Sequence, residues 1–286
     1  MKVAILSDTN SGIGIKEAQE KEIFVMPMPV IIEEETFYEG INLTEEEFYQ
    51  ALSDNKGVKT SQPSPGDVMD MWENLLDKGY DQIVYIPMSS GLSNSCEAAL
   101  GYSQDYPGKV FVVDNHRISV TMRQSVIRAK ELADQGKSGE EIKQILENEA
   151  YASSIYISVN TLEYLKKGGR ITPAAAMLGT VLNIKPVLTI QGEKLDSFYK
   201  VRGKMKKCQE KMVEAIHKDI ETRCPDVPME KLCIGAAGAG LSPEEKREWT
   251  EYVRSEFKQA TVYYDSLSAS IACHTGPGAV GIGVSW

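Results

Sequence analysis

In the first part of the chain, short apolar runs alternate with segments in which apolar residues recur at helical spacing. Three of these runs lie at residues 2–6, 82–86 and 109–113. Their length and β-branched content predict buried strands. A capping-box pair at Thr44/Glu47, between the first two runs, and another at Ser138/Glu141, after the third, mark the starts of two helices. Because an alternation of strands and helices is typical of a parallel sheet covered by helices, we predict an N-terminal α/β domain over residues 1–155.

The pattern changes near Tyr151, where alternating runs and hairpin-like spacings replace the strand–helix repeat. Further strands are predicted at residues 154–159, 185–190, 194–195, 231–236 and 260–264. A long helix is predicted over 204–223, and Ser242 opens another. The fold class is therefore α/β in two domains, with a C-terminal α+β domain at 156–286 whose sheet is mostly antiparallel.

Proline marks two other segments. Residues 23–32 are apolar but contain Pro27 and Pro29, which cannot donate to a ladder, so we predict an edge strand or an extended segment. Pro173 begins an alanine-rich helix that is predicted to stop at Gly179.

The composition limits the kinds of partner. A formal net charge of −10 argues against nucleic acid and against a membrane surface rich in acidic lipid. No stretch approaches the roughly 20 apolar residues of a membrane span, which argues against an integral membrane protein. The five cysteines are scattered without a Cys-x-x-Cys pair, and the opening residues are too short for a signal peptide. These features predict a cytoplasmic protein with reduced thiols and no metal site.

Hydroxyl-rich turns follow several of the predicted strands. The turn from Ser89 to Ser93 lies between a strand and a helix, and Gly91 permits a tight backbone path there. Because a helix start offers unpaired N–H groups, such a turn is suited to hold an anion. Thr60 begins a second turn, Thr-Ser-Gln-Pro-Ser-Pro, and after the first strand Asp8 either caps a third turn or orients a hydroxyl. The alternative is that these serines only cap the following helices.

The usual signatures of catalysis are missing. The sequence has no Gly-x-Ser-x-Gly elbow, no Walker loop, no Gly-x-Gly-x-x-Gly after the first strand and no His-Glu-x-x-His. Hydroxyls without an acid–base pair bind well but catalyse poorly, so a binding protein is favoured over an enzyme and no catalytic residue is assigned. His274 stands at the start of a glycine-rich segment, 274–284, and is either structural or functional.

Six stretches together resemble one family, the DegV fatty-acid-binding proteins, which are the carrier subunits of bacterial fatty acid kinase. The stretches occur in the family's order and span nearly the whole chain. They lie at residues 7–11, 60–65, 89–93, 162–171, 182–188 and 274–278. The Thr-Ser-Gln-Pro-Ser turn, the Gly-Gly-Arg segment and the His-Thr-Gly-Pro-Gly segment are the most specific of these motifs.

The resemblance implies that one long-chain fatty acid, such as palmitate, lies buried in a tunnel between the two domains. Its carboxyl group would be held by Ser61, Ser93 and His274, with Thr60 as a neighbour of the same site. An ionised carboxylate is costly to bury, and a protonated His274 would offset that cost. No cofactor and no metal are implied.

The resemblance also implies partners. The carriers of this family present the bound acid to a kinase subunit, which phosphorylates the carboxyl group, and then carry the acyl phosphate onward to acyl transfer in phospholipid metabolism. Lys200 and Arg202 match the segment associated with docking the kinase. The alternative is that they are two solvated charges after a hairpin.

The sequence departs from the family in two places. Asn94 and Ser95 stand where the family has Gly-Thr, and Thr121 and Arg123 stand where it commonly has glycines. Larger side chains there would narrow or shift the ligand site, which leaves the preferred chain length and saturation open.

Two other classes of function remain alternatives. One is a phosphosugar isomerase or transferase that holds a phosphate in the serine-rich turn. The other is a pure interaction module without a small-molecule ligand.

Overall fold

The computed structural model describes residues 1–177 and 184–286 and divides the chain into two compact units, Met1–Tyr151 and Ala152–Trp286. The predicted boundary at residue 155 falls inside strand β8 (Ser153–Ser158). A division before this strand keeps β8 with the sheet to which it is hydrogen-bonded.

The first unit is built on a four-stranded parallel sheet in the order β2-β1-β6-β7. Its strands are β1 (Val3–Asp8), β2 (Ile23–Met26), β6 (Gln82–Ile86) and β7 (Val110–Val112). The sheet contains the three strands that the apolar runs predicted, and their parallel pairing confirms the predicted sheet type.

Helices lie on both faces of this sheet. The helices of the first unit are α1 (Ile15–Glu20), α2 (Glu45–Ser53), α3 (Pro65–Asp77), α4 (Ser95–Tyr102), α5 (Ser119–Asp134) and α6 (Gly139–Asn148). On one face of the sheet, Trp72 and Cys96 pack with Tyr85. On the other face, Val126 and Ile142 pack with the strand residues whose side chains point to that side. Both predicted capping boxes are present at the starts of α2 and α6.

A small antiparallel sheet, in the order β4-β3-β5, completes the first unit. It consists of β3 (Pro29–Ile32), β4 (Glu35–Tyr38) and β5 (Val58–Thr60). The prediction of an edge or extended segment at 23–32 was right for β2, which is a terminal strand of the parallel sheet, but wrong for the end of the run, which forms the separate and central strand β3. Pro29 is tolerated in β3 since it occupies the first position of the strand.

The second unit contains a six-stranded sheet in the order β10-β9-β8-β13-β11-β12. Besides β8, its strands are β9 (Ile184–Thr189), β10 (Asp196–Arg202), β11 (Cys233–Gly238), β12 (Thr261–Ser266) and β13 (Val280–Ser285). Only the β11–β12 pair is parallel within the described residues, which confirms the mostly antiparallel sheet. The second hairpin strand is at 196–202 rather than at the predicted 194–195, and β13 was not predicted as a strand.

The helices of the second unit are α7 (Glu163–Gly168), α8 (Pro173–Ala176), α9 (Met205–Arg223), α10 (Pro243–Glu256) and α11 (Ala269–Thr275). Residues of α9 and α10, among them Met212 and Trp249, pack with Ile282 of the sheet in one core. The indole N–H of Trp249 donates to the Gly281 carbonyl at 3.1 Å. The predicted end of α8 at Gly179 lies outside the described residues, as do residues 182 and 183 of the family motif.

Across residues 1–177 and 184–286, no helix combines the length and apolar character that a membrane crossing requires.

Candidate functional site

The Ser89–Ser93 turn follows β6 and is folded by its own hydrogen bonds. The Ser89 carbonyl accepts the N–H groups of Leu92 and Ser93 at 3.0 and 3.2 Å, and the Ser89 N–H donates to the Arg117 carbonyl at 2.9 Å. The Ser93 hydroxyl oxygen accepts the Ser95 N–H at 3.2 Å, near the start of α4. In the described part of the chain the Ser93 O–H has no acceptor, so its proton remains available to a ligand oxygen. The capping and ligand-binding interpretations are therefore compatible at Ser93.

Thr60 and Ser61 lie at the end of β5 and in the turn after it. Thr60 pairs with Val30 of β3, and the Ser61 N–H donates to the Pro29 carbonyl at 3.3 Å. Ser61 is exposed, and its hydroxyl donates to the Gln62 carbonyl at 3.1 Å. Ser61 would have to rotate away from this carbonyl to donate to a ligand. Among the described residues, Ser61 shares no hydrogen bond with Ser93.

His274 is the second-last residue of α11, in the second unit, and its ring lies against Gly168 at the end of α7. Burial, together with the smaller effect of the positive charge of Arg170, lowers the pKa of His274 from 6.5 to about 4. The ring is therefore neutral at pH 7 when no anion is bound, and its protonated form beside a bound carboxylate stays a prediction. A bound carboxylate beside the ring would raise this pKa again.

The glycines around His274 are explained by close approaches within the second unit. A Cβ on Gly168 would lie 2.1 Å from Nδ1 of His274, and one on Gly276 would lie 2.5 Å from the Tyr164 ring. Gly276 also has a φ of 74°, which disfavours any residue with a side chain. The His-Thr-Gly-Pro-Gly segment therefore packs against α7, and these glycines allow α7 and α11 to approach each other closely.

Arg170 is a further candidate for the functional site. It belongs to the Gly-Gly-Arg segment, and no role was predicted for it. Its guanidinium donates to the Gly168 carbonyl. Burial raises the pKa of Cys273 to about 11 against the opposing charges of Lys167 and Arg170. Arg170 also adds to the lowering of the His274 pKa by burial. Its influence on both residues places a positive charge near His274. In the sequence, the only sign of this role is that an arginine directly follows Gly168-Gly169. Its proximity to His274 could not be predicted, because the two residues are far apart in the sequence.

Lys200 and Arg202 lie in β10, the terminal strand of the second sheet, and not after a hairpin. Both are exposed, and so are Lys204, Lys206 and Lys207 just beyond them. We call these residues the five-cation segment. Within the described residues, none of the five forms an ion pair, whereas the next lysine, at 211, is paired with Glu214.

The two residues that replace family glycines make local contacts in the first unit. The Thr121 hydroxyl donates to the Ile118 carbonyl at 3.1 Å, in the first turn of α5. Arg123 pairs with Glu17 at 2.5 Å and also donates to the Gly12 carbonyl at 3.4 Å. Arg123 therefore links α5 to the start of α1.

In the part of the chain that the structure describes, no group of three or more His, Cys, Asp or Glu residues is placed to hold a metal ion.

Comparisons with known proteins agree with this architecture. The family model described as "Uncharacterised protein, DegV family" matches residues 2–285. A solved structure described as fatty acid binding of a DegV family protein from Thermus thermophilus is 30% identical, with a TM-score of 0.86, and the match covers 100% of this chain and 99% of that one. The structure of DegV from Bacillus subtilis, described as a fatty acid binding protein, is 27% identical with a TM-score of 0.87 and the same coverage.

A curated relative shows the same extent of similarity. A DegV domain-containing protein of Streptococcus pyogenes serotype M3 is 28% identical over 292 residues, which cover 100% of this chain and 99% of the relative. The likeness therefore extends over both units, and it confirms the predicted α/β fold class.

Proposed function

The chain belongs to the DegV family, and from this premise we propose that it is a carrier that binds one long-chain fatty acid. The carboxyl group is held by Ser61, Ser93 and His274, with Thr60 beside them, and the acyl chain lies in a buried tunnel between the two domains. The observation that carries the proposal is the likeness over the whole chain to two solved structures described as fatty acid binding. The available O–H of Ser93 supports the assignment of the head-group site.

The energetics of such a complex divide between tail and head group. Burial of a methylene contributes about 0.8 kcal/mol, so a 16-carbon chain gains on the order of 10 kcal/mol before the loss of motional freedom is subtracted. A neutral hydrogen bond adds only about 0.5–1.5 kcal/mol net. The apolar tail therefore sets affinity, and the hydroxyls set the orientation of the carboxyl group. Arg170 supplies positive charge near His274, which favours the ionised form of the acid.

The carrier acts with a kinase and is not itself a catalyst. In this proposal it is a cytoplasmic, non-catalytic subunit that presents the carboxyl group to a fatty acid kinase and passes the acyl phosphate to an acyltransferase system. Lys200 and Arg202 dock the kinase, and the other residues of the five-cation segment extend that surface. The phosphosugar alternative is not favoured, because the similar solved structures are described as fatty acid binding.

Native mass spectrometry of the purified protein tests ligand binding directly. We expect the unmodified chain to carry one long-chain fatty acid, and the Ser93→Ala variant to retain less of it, with about tenfold weaker binding of added palmitate. If the purified chain carries no fatty acid and does not bind added palmitate, but does bind sugar phosphates, the proposal is overturned in favour of the phosphosugar alternative.

Charge reversal tests the docking surface. The double variant Lys200→Glu/Arg202→Glu should keep its fatty acid but bind the kinase at least tenfold more weakly. A basic docking strand needs an acidic surface on the kinase, and the two glutamates would repel that surface. Lys218→Glu, an exposed position further along α9, is the matched control and should bind normally. Equal kinase affinity in the double variant and the control would contradict docking through this strand.

A further inference from the structure

Asp8, the last residue of β1, is a fully buried carboxylate without a cationic partner among the described residues. Burial raises its pKa from 3.8 to about 6, even though hydrogen bonds from Met88 and Asn10 oppose the rise. The group is therefore mostly ionised at pH 7, although ionisation costs free energy in this position. Capping the turn does not by itself explain an aspartate here. Serine or threonine would cap the turn without the free-energy cost of a buried charge.

The two oxygens of Asp8 have different partners. One accepts the Asn10 N–H at 2.8 Å, which is the capping bond of the turn after β1. The other accepts the Met88 N–H at 2.9 Å, from a residue 80 positions away in sequence. An asparagine accepts with one oxygen only, so it would leave one of these two N–H groups facing an NH₂ group.

Met88 immediately precedes the turn that presents Ser93. The backbone of Ser89 is fixed next, through its N–H bond to Arg117, and its carbonyl then accepts the N–H of Ser93. The hydroxyl of Ser89 also accepts the Gly91 N–H at 3.2 Å. Two hydrogen bonds, joined by the Met88–Ser89 peptide bond, therefore connect the Asp8 carboxylate to Ser93.

We propose that Asp8 is a positioning residue for the fatty acid head group, because its carboxylate holds the Ser89–Ser93 turn in the conformation that directs the Ser93 hydroxyl to the ligand. This inference rests on the proposed function of Ser93. Asp8 does not touch the ligand, and its effect on binding passes through Ser93.

The groups that face Asp8 leave it as the titrating group of this cluster near neutral pH. Burial raises the pKa of the Tyr85 phenol on β6 and raises that of the Cys96 thiol on α4 to about 12, so both are neutral. The nearby amide of Asn10 carries no charge. Asp114 also faces the turn, because it accepts the Ser90 N–H at 3.4 Å, and His116 lies 3.7 Å from that carboxylate. The part of the turn's pH dependence that belongs to Asp8 is therefore the part that Asp8→Asn removes.

A double-mutant cycle between Asp8 and Ser93 tests the proposal. Asp8→Asn and Ser93→Ala should each raise the Kd for palmitate about tenfold, and the double variant should be no weaker than Ser93→Ala alone. The matched control is Asp81→Asn, because Asp81 accepts a backbone N–H from Lys2 at 2.6 Å at the opposite ends of the same two strands. The control should leave the Kd unchanged.

Hydrogen exchange of the ligand-free protein supplies a second measurement. The amides of residues 88–93 should exchange faster in Asp8→Asn than in Asp81→Asn. Asp8→Ser, which keeps a cap for Asn10 but does not reach Met88, should behave like Asp8→Asn and serves if the latter folds poorly.

The outcomes separate the two proposals. Failure of the unmodified chain to bind palmitate would overturn the proposed function. Normal palmitate binding with an unchanged Kd in Asp8→Asn, or a full additional loss on top of Ser93→Ala, would overturn only the role of Asp8.

Discussion

A Gly168→Ala variant should be less stable than the unmodified chain by about 1–3 kcal/mol and should bind palmitate at least tenfold more weakly. The added Cβ would lie 2.1 Å from Nδ1 of His274, far inside contact distance. The His274 side chain, on α11, is partly buried, so removing the clash with the added Cβ requires a shift of either the ring or α11. Either movement displaces the imidazole from the proposed head-group site.

The matched control is Gly101→Ala, since Gly101 is also a helical glycine but a Cβ there meets no atom within 4 Å. This substitution should stabilise the protein by about 0.5–1 kcal/mol, because alanine loses less backbone entropy in a helix. Urea unfolding of both variants measures the difference. If Gly168→Ala matches Gly101→Ala in stability and in palmitate binding, the close packing of His274 on α7 is not as described.

In the protein stripped of fatty acid, lowering the pH from 7 to 5 should destabilise the second unit while it stabilises the first. The pKa of His274 is about 4 in the folded state and 6.5 as an ordinary value, so the unfolded chain binds more protons in this range. The free energy of unfolding therefore falls as the pH falls, by about 2 kcal/mol at pH 5. Asp8 has the opposite sign, since its folded pKa of about 6 exceeds its ordinary 3.8, and the gain at pH 5 is about 1 kcal/mol.

Hydrogen exchange at pH 7 and pH 5, corrected for the intrinsic rate, checks each unit separately. Protection of amides in β1 and β6 should rise at the lower pH, and protection in β13 and α11 should fall. His274→Ala should abolish the second change and Asp8→Asn the first. Parallel changes in both units would contradict this assignment of the two groups.

The elements that were predicted correctly are those whose signal is local. The strands at 82–86 and 109–113 are buried on both faces and appear as apolar runs, and the capping boxes mark α2 and α6. β10 was placed wrongly because only Val201 in it is buried, so its alternation gives little signal. β13 was missed because its glycines interrupt the β-branched pattern, although the strand is central and buried.

The same distinction applies to the candidate site. The Ser93 turn was found because a strand, small hydroxyl residues and a helix follow one another directly. The lowered pKa of His274 was not predictable, since its causes are burial and the charge of Arg170, which only the folded chain brings near. The bond from Asp8 to Met88 was likewise hidden, because it joins positions that only the pairing of β1 with β6 brings together.

The position of β10 has a consequence for self-association of the chain. A terminal strand exposes unpaired N–H and C=O groups along which a second copy can add, and such growth leads to aggregates. Phe198 and Tyr199 are 43% and 48% exposed in this strand, and these two apolar side chains would not discourage association of copies. Lys200 and Arg202 supply like-charge repulsion between two such strands. Replacing both with apolar residues should therefore turn a dispersed protein into one that precipitates as its concentration rises, whereas two glutamates would preserve its solubility.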